Sequence, residues 1–163
     1  MDWQPWLRFA HILGAFTFVL AHGVSVFTTL KIRRERDPAR IAAMLDLSRS
    51  SFIIAASAVA FLLLSGIAAG FVGNYWSHLW IWVSIAILVL LFLYMGFRGT
   101  RYHDAVRHAV GSIGIYDHGA KEAPTPDPTA MADLLASPRA LELAAVGGIG
   151  LLVILSLMVL KPF

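Results

Sequence analysis

Cysteine is absent from this chain. Disulfides, thiolate metal sites and cysteine nucleophiles are excluded with it. Charge is scarce, at 14% of 163 residues, where soluble domains carry about 25%. Four long runs, residues 6–30, 51–72, 79–97 and 141–160, hold no charged residue in their central turns. No carboxylate occurs between Asp46 and Asp104, and no proline interrupts any of the four runs. Cation-coupled transporters usually need a carboxylate within the membrane and often fold around broken helices, so that class is disfavoured.

The residues that are present are mainly apolar, at 58%. A helix needs about 20 apolar residues to cross a hydrocarbon core about 30 Å thick, and each of the four runs supplies them. A soluble helix of this length would show a charged face. The runs are continuous rather than alternating, which excludes a spanning β-barrel. The sequence therefore predicts an all-α fold, a four-transmembrane-helix antiparallel bundle forming a single membrane domain. The helices are expected at about 6–30, 38–72, 79–110 and 138–160, with a linker at about 111–137. A basic cluster follows the first run rather than preceding it, so this run reads as a retained helix and not a cleaved leader.

Orientation follows from the cations. Lys31, Arg33, Arg34, Arg36, Arg40 and Arg49 follow the first run, and Arg98, Arg101, Arg107, Lys121 and Arg139 follow the third. Only Arg8 and Lys161 fall on the opposite side. The positive-inside rule then predicts two basic cytoplasmic loops with both termini outside, in the bacterial inner membrane. The basic residues track topology, which leaves no reason to expect a nucleic-acid partner. The expected partners are the lipid bilayer and other membrane proteins or further copies of the chain. Trp3, Trp6, Tyr75, Trp76, Trp80 and Trp82 read as an aromatic belt at the outer interface.

Local signals punctuate the loops. Asp37-Pro38 is a helix start, with an N-cap followed by proline at the first helical position. Residues 73–78 are expected to form a tight hairpin that packs the second and third helices together. Glycines at 111, 114 and 119 end the third helix, and residues 121–128 contain three prolines and read as a linker. Residues 129–136 are a candidate surface helix, and Ser137-Pro138 a candidate cap for the fourth span.

The first helix carries the most informative face. At 100° per residue, His11, Gly14, Ala15, Phe18, His22, Ser25, Val26 and Thr29 form one small and polar stripe. Phe9, Leu13, Phe16, Leu20 and Phe27 lie opposite, facing lipid. Small residues admit close neighbours, so the stripe is expected to face the bundle interior, as are Gly66 and Gly70 on helix two and Gly147, Gly148 and Gly150 on helix four. Ionisable residues inside a span are candidates for function, which singles out His11 and His22. They are eleven residues apart, about 16 Å along the axis, and cannot share one metal. His78 is the nearest candidate partner for His11 around a bis-histidine haem b, although about two turns too shallow. His103 and His108 read as too far out to pair with His22. His103, His108 and His118 lack the spacing of a metal site. No catalytic set and no metal site is expected.

The opening Leu7-Arg8-Phe9-Ala10-His11-Ile12-Leu13-Gly14-Ala15 resembles the first helix of small four-helix bacterial membrane proteins of unknown function and of the CopD and HemJ groups. The closing Met158-Val159-Leu160-Lys161-Pro162-Phe163 is similar to the last segment of those groups. A HemJ-like relationship implies a haem-containing protoporphyrinogen oxidase with His11 as the matching histidine. The lysine that HemJ-type proteins carry in the third helix has no counterpart in residues 79–97. A CopD-like relationship implies copper handling, whereas Met44, Met95, Met131 and Met158 are scattered. Three functions are thus carried forward. The first is an accessory subunit of a membrane complex. The second is a haem or porphyrin-binding protein using His11, His22 or His78. The third is a metal or small-solute conduit along the His11–His22 stripe.

Overall fold

The computed structural model describes residues 2–114, 117 and 122–162. Among these the fold is wholly helical. The elements are α1 (Gln4–Ile32), α2 (Pro38–Val72), α3 (Leu79–Tyr94), α4 (Thr100–Ala109), α5 (Pro128–Ala136) and α6 (Arg139–Leu160). A 3-10 turn, Tyr75–Ser77, precedes α3, and a π-helical turn, Met95–Gly99, joins α3 to α4 without a break. Four stretches, Gln4–Ile32, Pro38–Val72, Leu79–Ala109 and Pro128–Leu160, are long and apolar enough to cross a membrane. The chain is a four-helix bundle with the build of a multi-pass integral membrane protein.

The helix starts follow their local chemistry. The Asp37 carboxylate accepts the Ala39 amide at 2.9 Å, ahead of Pro38. The Asp127 carboxylate accepts the Thr129 and Ala130 amides ahead of Pro128. Each aspartate satisfies backbone donors that a helix start leaves open, and each proline occupies a position that needs no donor. Between α1 and α2 the Glu35 carboxylate accepts the amides of Arg36 and Asp37. Those two bonds hold its carboxyl below the usual range. Gly111 ends α4 at φ +76°, a conformation that side chains with a Cβ rarely adopt. The Ser137 hydroxyl does not cap α6. It donates to the carbonyl of Leu134 and closes α5 instead.

With 35 residues, α2 is about 52 Å long, well beyond a hydrocarbon core. Its projecting first turns are clothed at the basic end of the bundle. Ile32, Ile41, Leu45, Tyr102, Val106, Met131 and Leu135 form one buried cluster there, drawn from α1, α2, α4 and α5. The short α5 is therefore a packed element that seals this end. His118 and Lys121 lie outside the described residues, as do positions 115, 116, 119 and 120.

The pairing of the spans differs from the expected hairpin. α1 packs along α2, and α3 packs along α6. α1 also meets α6, and α2 meets α4 at the basic end. α2 and α3 make almost no direct contact, although a six-residue turn connects them. A short turn fixes where two helices meet, not whether their axes stay together. Here the two pairs diverge below the turn.

Candidate functional site

The divergence of α2 from α3 leaves a cavity of about 630 Å³ inside the bundle. Phe18, His22, Ser25, Val26 and Thr29 line it from α1. Ser48, Arg49, Phe52, Ile53, Ala56 and Val59 do so from α2. The far wall is Leu88, Leu91, Phe92, Met95, Gly96, Gly99, His103 and Arg107, with Leu143, Gly147 and Leu151 of α6. Phe52 is 49% exposed, Ile53 67% and Phe92 45%. These three sit on the two helices that fail to meet, so the cavity opens sideways between α2 and α3. The π-helical turn contributes Gly96 and Gly99 to the wall, and such turns recur at functional sites.

Polar groups gather towards the basic end. The Ser25 hydroxyl lies 3.0 Å from those of both Ser48 and Ser51. The Thr29 hydroxyl donates to the Ser25 carbonyl at 2.7 Å, and its oxygen lies 2.9 Å from His103 Nε2. A hydroxyl has one proton, already used, so His103 donates to it from Nε2. Arg107 is 4% exposed and bonds the Asp46 carboxylate at 2.8 Å through Nη1. Every ionisable side chain on the cavity wall is basic: His22, Arg49, His103 and Arg107.

The histidines singled out by sequence occupy three separate places. His11 is half-buried between α1 and α2, with Nδ1 2.9 Å from the Leu62 carbonyl. A carbonyl only accepts, so Nδ1 carries the proton. The ring rests on Gly66, where a Cβ would stand 2.8 Å from His11 Cε1. His22 lies on the cavity wall, stacked on Phe18. Its Nε2 is buried without a hydrogen-bond partner and closes on Gly147, 2.9 Å from where a Cβ would stand. His78 is exposed at the opposite end, stacked against Trp80. His103, expected to lie too far out, shares the cavity with His22. Its bond to Thr29 of α1 holds it there, a long-range contact that no local spacing encodes. His108 points away and contacts Asp117 at 2.6 Å. Among the described residues no three His, Asp or Glu side chains gather into a metal site.

Within the cavity, His22 and His103 do not stand as a bis-histidine pair for the haem that a HemJ-like relationship implies. Two axial nitrogens stand about 4 Å apart, twice a metal–nitrogen bond of about 2 Å. Thr29, which holds His103, lies seven residues beyond His22, about 10 Å along α1. His11 donates its Nδ1 proton to the Leu62 carbonyl, which leaves Nε2 as its free lone pair, but the residue is not on the cavity wall. The space before His22 Nε2 is filled by the α6 backbone.

The aromatic end holds a second cluster that the sequence indicated only as a belt. Arg8 Nη2 donates to the Tyr75 hydroxyl at 2.6 Å, and Gln4 Nε2 at 3.1 Å. The Lys161 ammonium stands over the Tyr75 ring at 5.0 Å. The bond from Arg8 holds the Tyr75 phenol below its usual value. Trp80 is buried in this cluster, and Trp76 packs on Gly70, so the belt is partly an internal plug.

No protein-family model matches the chain, and no curated protein or solved structure matches it.

Proposed function

We propose that this integral membrane protein binds a hydrophobic small molecule, taken up from the bilayer through the opening between α2 and α3. The observation that carries the reading is the side-opening cavity of about 630 Å³. Ligand sites typically span about 300–1,000 Å³ and pair apolar walls with a few placed polar groups. Packed interiors do not keep voids of this size without an occupant. A conduit along the His11–His22 stripe is less well supported, because His11 bonds to α2 and its ring sits on Gly66 rather than facing the cavity. In the same reading the basic end faces the cytoplasm, in keeping with eleven of the thirteen Lys and Arg residues following the first and third spans.

The test is to identify, by mass spectrometry, the small molecules that survive detergent purification of the wild type and of Ala56→Trp. Ala56 lies on the cavity wall, and an indole there takes up part of its volume and obstructs an occupant. A molecule retained in stoichiometric amount by the first and lost from the second supports the reading. Identical profiles from both proteins overturn it.

A further inference from the structure

The cavity has a direction, and the direction matches a particular kind of occupant. Its upper wall is apolar, from Val59, Leu88 and Leu151. Its lower wall carries Arg49, His103 and Arg107, with His22 higher on α1 and no acidic residue on the lining. Arg49 is exposed and belongs to none of the ion pairs among the described residues. Arg107 lines the same end with its charge already shared with Asp46. Arg49 is therefore the positive charge that the fold leaves uncompensated at the foot of an apolar chamber.

Resting on the cavity reading above, we propose that the occupant is an anionic phospholipid whose phosphate sits against Arg49, beside Arg107, and whose acyl chains fill the cavity. On α1 the lining runs from Phe18 to Thr29, about 16 Å. One leaflet's hydrocarbon is half of a core about 30 Å thick, which is a matching depth. The opening flanked by Phe52, Ile53 and Phe92 lets chains move in sideways. The phosphate meanwhile stays at the level of the interface, so no charge crosses hydrocarbon. Basic pockets between spans are suited to anionic lipid headgroups. A neutral apolar ligand would gain nothing from Arg49, whereas a phosphate beside it gains a charge-assisted contact. A water-soluble anion would leave the apolar chamber empty.

The experiment is native mass spectrometry of the full chain released from nanodiscs holding equal amounts of phosphatidylglycerol and phosphatidylcholine, with palmitate added in a parallel set. Wild type, Arg49→Gln and Ala56→Trp are compared. Arg49 is exposed, so its replacement leaves the packing intact. The expected result is retention of phosphatidylglycerol by the wild type, a preference about fivefold weaker in Arg49→Gln, and loss of bound lipid in Ala56→Trp. Equal retention of both phospholipids, lost in Ala56→Trp, overturns the headgroup assignment and leaves the cavity reading standing. Preferential retention of palmitate overturns the phospholipid assignment in the same way. Absence of retained lipid in the wild type, or unchanged retention in Ala56→Trp, overturns this inference, and the extraction profiles of Ala56→Trp then decide the cavity reading separately.

Discussion

Arg107 reaches Asp46 across 61 positions of sequence, and their 2.8 Å contact ties α4 to α2 at the basic end. The two partners are unequal, since Arg107 is buried and Asp46 is largely open to water. Removing the carboxylate strands a buried guanidinium, while removing the guanidinium frees an aspartate that water can solvate. Asp46→Asn is therefore expected to destabilise the protein by about 1–2 kcal/mol, less than a fully desolvated charge-assisted bond would cost. Adding Arg107→Met to that background should recover part of the loss. Thermal unfolding in detergent, followed by circular dichroism, checks both. A double variant less stable than Asp46→Asn would contradict the account.

The long-range pairing that this contact represents is what the sequence did not display. The spans were legible because run length against bilayer thickness is a local property. So was the interior stripe of α1. Gly14 and Thr29 are buried, whereas Phe9, Leu13, Phe16, Leu20 and Phe27 fall on the exposed or lipid-facing side. Four of the five glycines expected at the interior of α2 and α6 mark close approaches, three of them to a ring: His11 on Gly66, Trp76 on Gly70 and His22 on Gly147, with the Leu91 side chain on Gly150 as the fourth. Gly148 does not face the interior: it is exposed with nothing beside it, because neighbouring glycines on a helix point about 100° apart. Composition signals that something comes near a glycine without saying what. The cavity was invisible for a related reason. It arises from a missing contact between α2 and α3, and a short connecting turn suggests that contact should exist. The placement of His103 beside the α1 stripe likewise depends on its bond to Thr29, which no spacing within α4 records. Ser25 and Thr29, which frame the cavity, belong to the polar stripe that helical spacing on α1 displays. Arg49 and Arg107 carry only a topology signal in the sequence, because their place on the cavity wall depends on long-range packing.

At the aromatic end, Tyr75 should ionise below the ordinary tyrosine range because Arg8 donates to its oxygen. The folded value is lowered, so the stabilisation linked to this group grows as pH rises towards the unfolded value and is absent below the folded one. Absorbance titration is expected to show an early phenolate component. It should vanish in Tyr75→Phe and move upward in Arg8→Gln. An unchanged titration in Arg8→Gln would remove Arg8 as the cause.

The histidine geometry bears on pigment as well. His11 is bonded to Leu62, His103 to Thr29, and His22 Nε2 faces Gly147. With His22 and His103 about 10 Å apart along α1 and His22 Nε2 closed off at Gly147, protein purified in mild detergent is expected to lack the spectrum of a bis-histidine haem b in both oxidised and dithionite-reduced samples. A band that appears in the wild type and disappears in His22→Ala would show that α6 moves aside to admit a macrocycle, and would revive the haem reading.

The α1–α2 seam offers the sharpest packing test. His11 donates to the Leu62 carbonyl only because Gly66 leaves room for its ring. A methyl at position 66 would stand 2.8 Å from Cε1 and 3.0 Å from Nδ1, closer than atoms in contact allow. The ring must shift, and the bond to Leu62 lengthens or breaks. Gly66→Ala is thus expected to cost about 1–3 kcal/mol, the usual range for overpacking, despite the better helix propensity of alanine. Replacing the histidine in that background removes the clash, so Gly66→Ala with His11→Ala should be more stable than the sum of the two single losses predicts. The coupling should fall within about 0.5–3 kcal/mol, as for residues in direct contact. Equal additivity across the double-mutant cycle would mean that His11 does not occupy the Gly66 notch, and the bonded, inward-packed reading of His11 would fail with it.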